Sequence, residues 1–408
     1  MAPQRHPSPY RVPYALVRGV VASLGVTRSL RALPWVVALT LIAGLAGPGL
    51  GTAAAEPVTW VVHTQSPAVA DAVAHDLKVT PTTTYGAVGG FTARLSLAQV
   101  RALRGRPGVL GVEPDRAAPP PEPWFLRRST VQAAQERDNW GLDRIDQRVL
   151  PLDGAHRMKA TGAGVTIYVL DTGVDTSHPE FGGRAREGAN VVDSDTGDCD
   201  GHGTVVAGIA ASRLHGVAPQ AQVRSVKVLD CNGVATLSSL LAGIDWVTRN
   251  AQRPAVAVMS WSFGDSDTLA AAVKGLVDSG VFVTASAGNT GADDCRALPR
   301  AVPGVLVVAS SARDDRRAAT SSTGPCVDVY APGASIVSTT PGGGTAAWSG
   351  TSMAAPHAAG VAALYKQVYG DAPSAVVEKW IVDHATPGVV QGGGAGGTPN
   401  RLLYAGDL

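Results

Sequence analysis

From Trp140 onward one alternation repeats along the chain: short, continuous runs of apolar and mostly β-branched residues, separated by segments whose apolar residues recur at helical spacing. The runs are Val165 to Leu170, Val223 to Leu229, Ala255 to Met259 and Val281 to Ala285, and the helical segments include Leu237 to Asn250 and Leu269 to Ser279. Strands that are apolar throughout, rather than at every second residue, are buried on both faces, which is the condition of a parallel sheet covered by helices. The expected class is therefore α/β, a doubly wound and mostly parallel sheet. In such sheets the carboxyl ends of the strands gather the functional groups. No internal repeat appears at any period, which excludes solenoids and propellers.

The N-terminal part has a different rhythm. A strand-like Val58 to Val62, a helical Ala68 to Leu77, a strand around Gly89 to Leu95, a second helix Leu97 to Leu103 and a strand Val109 to Val112 fit a β-α-β-β-α-β order with one strand left unplaced, the outline of a small ferredoxin-like α+β unit over residues 56–116. Residues 117–138 read as a linker, with Pro119, Pro120, Pro121 and Pro123 followed by a polar, charged tract. Ahead of the small unit, residues 1–55 carry Arg5, Arg11, Arg18, Arg28 and Arg31, an apolar stretch from Ala32 to Gly47, and Ala53-Ala54-Ala55 before Glu56. That is the charged, apolar, small-residue order of a secretory signal peptide cut near Ala55. The apolar stretch is short and diluted by Pro34, Gly44, Gly47 and Pro48, so it reads as a cleaved leader rather than a membrane span.

Cysteine usage agrees with export. The chain has 4 cysteines, Cys199, Cys231, Cys295 and Cys326, none in a spacing that would make a zinc site. An even, scattered set implies two disulfides in an oxidising compartment, with three connectivities open. Lys+Arg 34 against Asp+Glu 33 leaves a formal net charge of +1, so the electrostatic footprint of a nucleic-acid or acidic-membrane binder is missing. Neither partner is expected once the leader is gone.

Three motifs fall where the sheet would place a site. The strand ending at Leu170 runs into Asp171-Thr172-Gly173, delivering a carboxylate at a strand's end. Gly201-His202-Gly203-Thr204 opens an apolar helix with an imidazole in its first turn. Gly350-Thr351-Ser352-Met353-Ala354 opens another with a hydroxyl at its N-terminus, where unpaired N–H groups and the dipole favour negative charge. Acid, imidazole and hydroxyl are the parts of a nucleophilic triad. Gly288-Asn289, between the imidazole and the hydroxyl, adds a candidate donor for an oxyanion.

With those motifs in the order Asp, His, Ser, the chain resembles the subtilisin-type serine proteases, and within them the proteinase K-like branch. The resemblance also rests on Trp140 to Gln147, Asp198 to Thr204, Tyr330-Ala331-Pro332-Gly333, Ser349 to His357 and Pro399 to Tyr404. It implies a peptidase domain over 139–408, an inhibitor-type propeptide over 56–116 and a processing site in the linker, near Ala133. By the same resemblance Ser352 is the nucleophile, His202 the general base, Asp171 its orienting partner and Asn289 an oxyanion donor. Ser260, Trp261, Ser262, Ala287 and Gly288 would line the substrate cleft. The pairing it implies is Cys199 with Cys231 and Cys295 with Cys326. It implies structural calcium at Pro303, Val305 and Asp328, with a second cluster at Asp143, Asp146, Gln147 and Asp153. The expected protein is a secreted, monomeric serine endopeptidase with protein and peptide substrates, inhibited and helped to fold by its own propeptide.

The sequence departs from the family at one functional segment. Ser260-Trp261-Ser262-Phe263-Gly264 stands where the family has Ser-Leu-Gly-Gly, so two glycines are replaced by Ser262 and Phe263. Either side chain narrows the first specificity pocket and favours smaller residues before the cut, or Phe263 folds outward and only Ser262 matters. Two other classes were weighed. A catalytically silent binding relative needs a broken triad, and the motifs are intact; a lipase or esterase needs a Gly-x-Ser-x-Gly elbow and the order Ser, Asp, His.

Overall fold

The computed structural model describes residues 58–118, 139–195 and 197–408. The expected leader, residues 1–55, and positions 119–138 of the expected linker lie outside the described residues.

The small unit comprises β1 (Val58–Thr64), α1 (Pro67–Asp76), β2 (Thr83–Tyr85), β3 (Gly90–Leu95), α2 (Leu97–Leu103) and β4 (Val109–Pro114). Its strands form an antiparallel sheet in the order β2-β3-β1-β4, the ferredoxin-like arrangement expected from the sequence. Local chemistry sets the helix starts. Ser66 Oγ accepts from Val69 N with Pro67 in the first turn, and Ser96 and Gln99 form a reciprocal capping box. Val62, Phe91, Ala93 and Leu95 on one sheet face close over Val73, Val100 and Leu103 of the helices.

The large unit runs α3 (Trp140–Ile145), β5 (Thr166–Asp171), β6 (Ala185–Asn190), α4 (His202–Ala211), β7 (Gln222–Lys227), α5 (Leu237–Asn250), β8 (Ala255–Met259), α6 (Asp267–Asp278), β9 (Phe282–Ser286), β10 (Val305–Ser311), β11 (Val329–Pro332), β12 (Ile336–Thr340), β13 (Gly344–Trp348), α7 (Thr351–Tyr369), α8 (Ser374–His384), β14 (Thr386–Pro387) and β15 (Arg401–Leu402). Its 9-stranded sheet has the order β14-β15-β11-β10-β9-β8-β5-β7-β6 and is parallel except where β14 joins β15.

Alternate residues of each central strand feed two cores. Ile167, Val169, Val256, Val258, Leu306 and Val308 face α4 and α7, while Tyr168, Leu170, Ala257, Met259, Val283 and Val307 face α5 and α6. Burying a Val, Leu or Ile side chain completely stabilises by about 1.5–3 kcal/mol, so strands that are apolar on both faces are held in the middle of the sheet. The chain moves from β5 outward to β6 and β7, then returns to lay β8 on the other side of β5. This reversal makes the carboxyl end of β5 a switch point, where a crevice opens. Among the described residues no helix is long and apolar enough to cross a membrane.

The small unit packs on the α5–α6 face, and Val61 and Tyr85 join that core. Its acidic residues satisfy helix-terminal donors that a lone helix leaves unpaired. Asp115 accepts from Ser238 N (2.9 Å) and Ser238 Oγ (2.7 Å) in the first turn of α5. Glu113 accepts from Thr268 N (3.1 Å) and Thr268 Oγ1 (2.6 Å) in the first turn of α6. Beyond β4 the backbone pairs with the segment before α5, through Leu237 N to Arg116 O (3.0 Å) and Ala118 N to Ala235 O (2.8 Å).

Candidate active site

Asp171 is the last residue of β5 and His202 the first of α4, so the switch point brings a carboxylate and an imidazole together. His202 Nδ1 lies 2.7 Å from Asp171 Oδ1, and both side chains are buried. Asp171 Oδ1 also accepts from Thr172 N at 2.8 Å. Glycines permit the approach. A Cβ on Gly203 would stand 2.0 Å from the Gly173 carbonyl oxygen, and Gly173 itself has φ +108, a left-handed conformation that disfavours other residues. Asp198 locks the junction: its carboxylate accepts from Gly201 N (2.7 Å), Thr204 N (2.8 Å) and Thr172 Oγ1 (2.8 Å), tying the start of α4 to the loop after β5.

Burial works against a charged His202 ring. The charge and hydrogen bond of Asp171, with smaller contributions from Asp200 and Asp198, outweigh it and raise the pKa above the ordinary 6.5. Asp200, whose Oδ1 accepts from His202 N at 3.0 Å, is pushed up to about 6 by burial.

Ser352 occupies the first turn of α7, whose residues are buried from Thr351 to Lys366. Pro356 sits four residues on and has no N–H to offer the Ser352 carbonyl. Ser260 Oγ supplies the missing bond at 3.2 Å, and Ser352 Oγ in turn donates to the Ser260 carbonyl at 3.2 Å. The end of β8 is thereby fastened to the turn that carries Ser352. Asn289 Oδ1 accepts from Thr351 N (3.0 Å) and Thr351 Oγ1 (3.1 Å), capping α7 and leaving the amide Nδ2 as a donor. Thr351 Oγ1 also accepts from Gly288 N at 3.1 Å.

Ser260, Trp261, Ser262, Gly288, Asn289 and Ser352 line one cleft of about 300 Å³. Ala287 lies just behind it, its N–H bonded to Val308 O at 2.9 Å in continuation of β9. The two replaced glycines differ in outcome. Phe263 is 2% exposed, belongs to the α5–α6 core, pairs its backbone with Leu298 and has the Arg116 guanidinium 5.1 Å from its ring centroid, while one edge of it still lines the cleft. Ser262 Oγ accepts from Arg300 Nη2. Arg300 and Asp294, which also line the cleft, escaped sequence reasoning because they come from the loop between β9 and β10, outside any motif.

Both expected disulfides form, Cys199–Cys231 with Cα atoms 5.2 Å apart and Cys295–Cys326 with Cα atoms 5.5 Å apart. Each staples a loop beside the site, before α4 and after Asn289.

Two candidate cation positions were tested against the donors present. Asp328 is half-buried ahead of β11; its Oδ2 accepts from Val307 N at 2.8 Å, two residues past Val305. Burial pushes its carboxyl up to about 7, and the nearby Glu378, absent from the sequence reading, pushes the same way. A carboxylate so placed fits a hard cation, with the Pro303 and Val305 carbonyls as neutral donors. In the second cluster Asp143 Oδ2 accepts from Gly154 N (2.9 Å) and Asp146 Oδ2 from Arg157 N (2.7 Å), while Asp146 Oδ1 is buried with no hydrogen-bond partner among the described residues. That orphaned oxygen also fits a cation. Asp153 is turned to Arg157 at 2.5 Å, and Gln147 gives its amide N–H to Pro151 O at 2.9 Å.

The profile of the subtilase family (Peptidase_S8) matches residues 162–402. Alkaline serine exoprotease A of Vibrio alginolyticus is 44% identical over 323 residues, which are 78% of this chain and 59% of that relative's length. The extracellular serine proteinase of Thermus sp. (strain Rt41A) is 42% identical over 322 residues, 78% of this chain and 76% of the relative. The crystal structure of a cold-adapted subtilisin-like serine proteinase superposes with a TM-score of 0.63 at 45% identity, covering 65% of this chain and 97% of the other. Fold and relatives together define the class, a serine peptidase built on a mixed α/β sheet. The chain belongs to the subtilase family.

Proposed function

We propose that this chain is a secreted serine endopeptidase made as a self-processing zymogen, with Asp171, His202 and Ser352 as its triad, Asn289 as oxyanion donor and residues 56–116 as an inhibitory propeptide. The observation that carries the reading is the buried 2.7 Å contact between His202 and Asp171 at the end of β5, on the fold whose α7 carries Ser352 in its first turn. Ser352 Oγ attacks the scissile carbonyl carbon as its proton passes to His202 Nε2. The carbonyl oxygen becomes an oxyanion, received by Asn289 Nδ2 and the Ser352 N–H at the helix terminus, where partial positive charge already points. His202 then gives the proton to the leaving amine, the C–N bond breaks and the acyl group stays on Ser352. Water, deprotonated by His202, releases the acyl group and restores the serine. Asp171 holds the ring in orientation and stabilises the imidazolium. Calcium, where bound, would be structural and takes no part in these steps. A serine-directed phosphonate should label Ser352 alone and fail to label His202→Ala; modification elsewhere overturns the assignment.

The raised His202 pKa gives the pH dependence a sign. His202 must be neutral to accept the proton, so activity should be lost as pH falls through an inflection above 6.5. The kcat/KM profile of the parent measures this. An inflection below 6.5, or a flat profile, contradicts the role given to the Asp171 contact.

A further inference from the structure

The cleft beside Ser352 contains a charge that the proteolytic chemistry does not use. Arg300 has a side chain 1% exposed, and its head lies against the cleft wall beside Gly288: a Cβ there would stand 2.8 Å from Arg300 Nη1 and 2.6 Å from Asp294 Oδ2. A guanidinium offers five N–H donors in a fixed fork. Here Nη2 reaches Ser262 Oγ, Nη1 has the Asp294 carbonyl at 3.5 Å, and Nε is buried with no partner among the described residues. The nearest carboxylate oxygen, Asp294 Oδ2, is 3.8 Å from Nη1 and is already taken by Ser322 Oγ (2.5 Å) and Thr290 Oγ1 (2.8 Å). Burial pulls the Arg300 pKa down to about 10, the mark of a desolvated cation, which nonetheless remains charged at neutral pH.

We propose that Arg300 makes this pocket a carboxylate-binding subsite, so that the enzyme cleaves after glutamate. The proposal rests on the endopeptidase reading above and names the substrate class of that same site. An apolar side chain entering the pocket would finish the desolvation of the guanidinium and leave its free donors unpaired, which is costly. A carboxylate supplies the planar pair of acceptors that the fork is built to meet. Ser262 is a positioning residue, since its hydroxyl holds the Nη2 edge of Arg300 where a glycine would offer nothing. Asp294, which could compete, is kept at a distance by its two hydroxyl partners.

The test uses the full chain and peptides identical except before the scissile bond, with Glu, Gln, Phe or Ala there. The expected kcat/KM for Glu exceeds that for Phe by about tenfold or more, with Gln between them. Arg300→Met, close in volume, should reverse the order of Glu and Phe, and Arg300→Lys should keep it in weakened form. The parent ratio decides the matter even if the Met variant does not fold. A parent that prefers Phe overturns the carboxylate subsite and leaves the endopeptidase reading standing, as does an undiminished Glu preference in Arg300→Met. A parent that cleaves none of the peptides removes the endopeptidase reading and the subsite with it.

Discussion

A chain carrying Ser352→Ala should accumulate with its small unit still attached, lacking only the leader, and should lose about a millionfold in kcat. That scale is borrowed from triads dismantled in subtilisin itself. The size follows from the division of labour at the site: the hydroxyl is the atom that forms the acyl bond, and neither the Asn289 donor nor the buried imidazole can replace it. Failure to mature follows from a second observation. Glu113 and Asp115 satisfy the first turns of α6 and α5, and residues 116–118 pair with 235–237, so the small unit is already docked on the domain that would cut behind it. Self-cleavage within 129–139 then needs the site's own nucleophile. Electrophoresis and mass spectrometry of the secreted product read the outcome. If Ser352→Ala matures to the parental length when made in a protease-deficient host, the chain is processed by another enzyme.

Much of this arrangement was legible in the sequence, and the gaps have physical causes. The central strands were readable because burial on both faces makes them apolar throughout, as in Ala255–Met259. The edge strand β6, Ala-Arg-Glu-Gly-Ala-Asn, was not, because one flank meets solvent and it carries no apolar run. The long helix α7 runs to Tyr369, a length its opening motif does not announce, and α8 packs against its last turns. Asp171, His202, Ser352 and Asn289 each stand in a short motif whose glycines allow close backbone approach, and that marked them as the candidate site. Arg300 had no such marker: its meaning depends on Ser262, which is remote in sequence and meets it only in the folded cleft. Phe263 could not be placed before the structure because it does both, joining the α5–α6 core where its backbone pairs with Leu298 while still lining the cleft.

Removing calcium should lower the melting temperature of the full-length Ser352→Ala protein, a form in which self-digestion cannot confuse the measurement. A cation that binds the folded state alone stabilises by mass action, by about 2.7 kcal/mol at a free concentration near 100 times the dissociation constant. For a chain of this size that corresponds to a shift of about 3–4 °C. The donors argue for where the effect arises. Asp328, pushed up to about 7 by burial, is costly to ionise without a cation, and a bound cation would offset that cost while drawing on the Pro303 and Val305 carbonyls. Asp328→Ala should therefore erase most of the difference between calcium and chelator. Each variant is compared with itself under the two conditions, which cancels any stability change caused by the substitution. The orphaned Asp146 Oδ1 makes the second cluster an independent source. If Asp328→Ala keeps the full shift and Asp146→Ala loses it, the cation belongs to the segment between α3 and β5, at Asp146. If both variants and the parent melt alike with and without chelator, neither cluster binds the ion, and the stability of the large unit rests on its two cores and two disulfides alone.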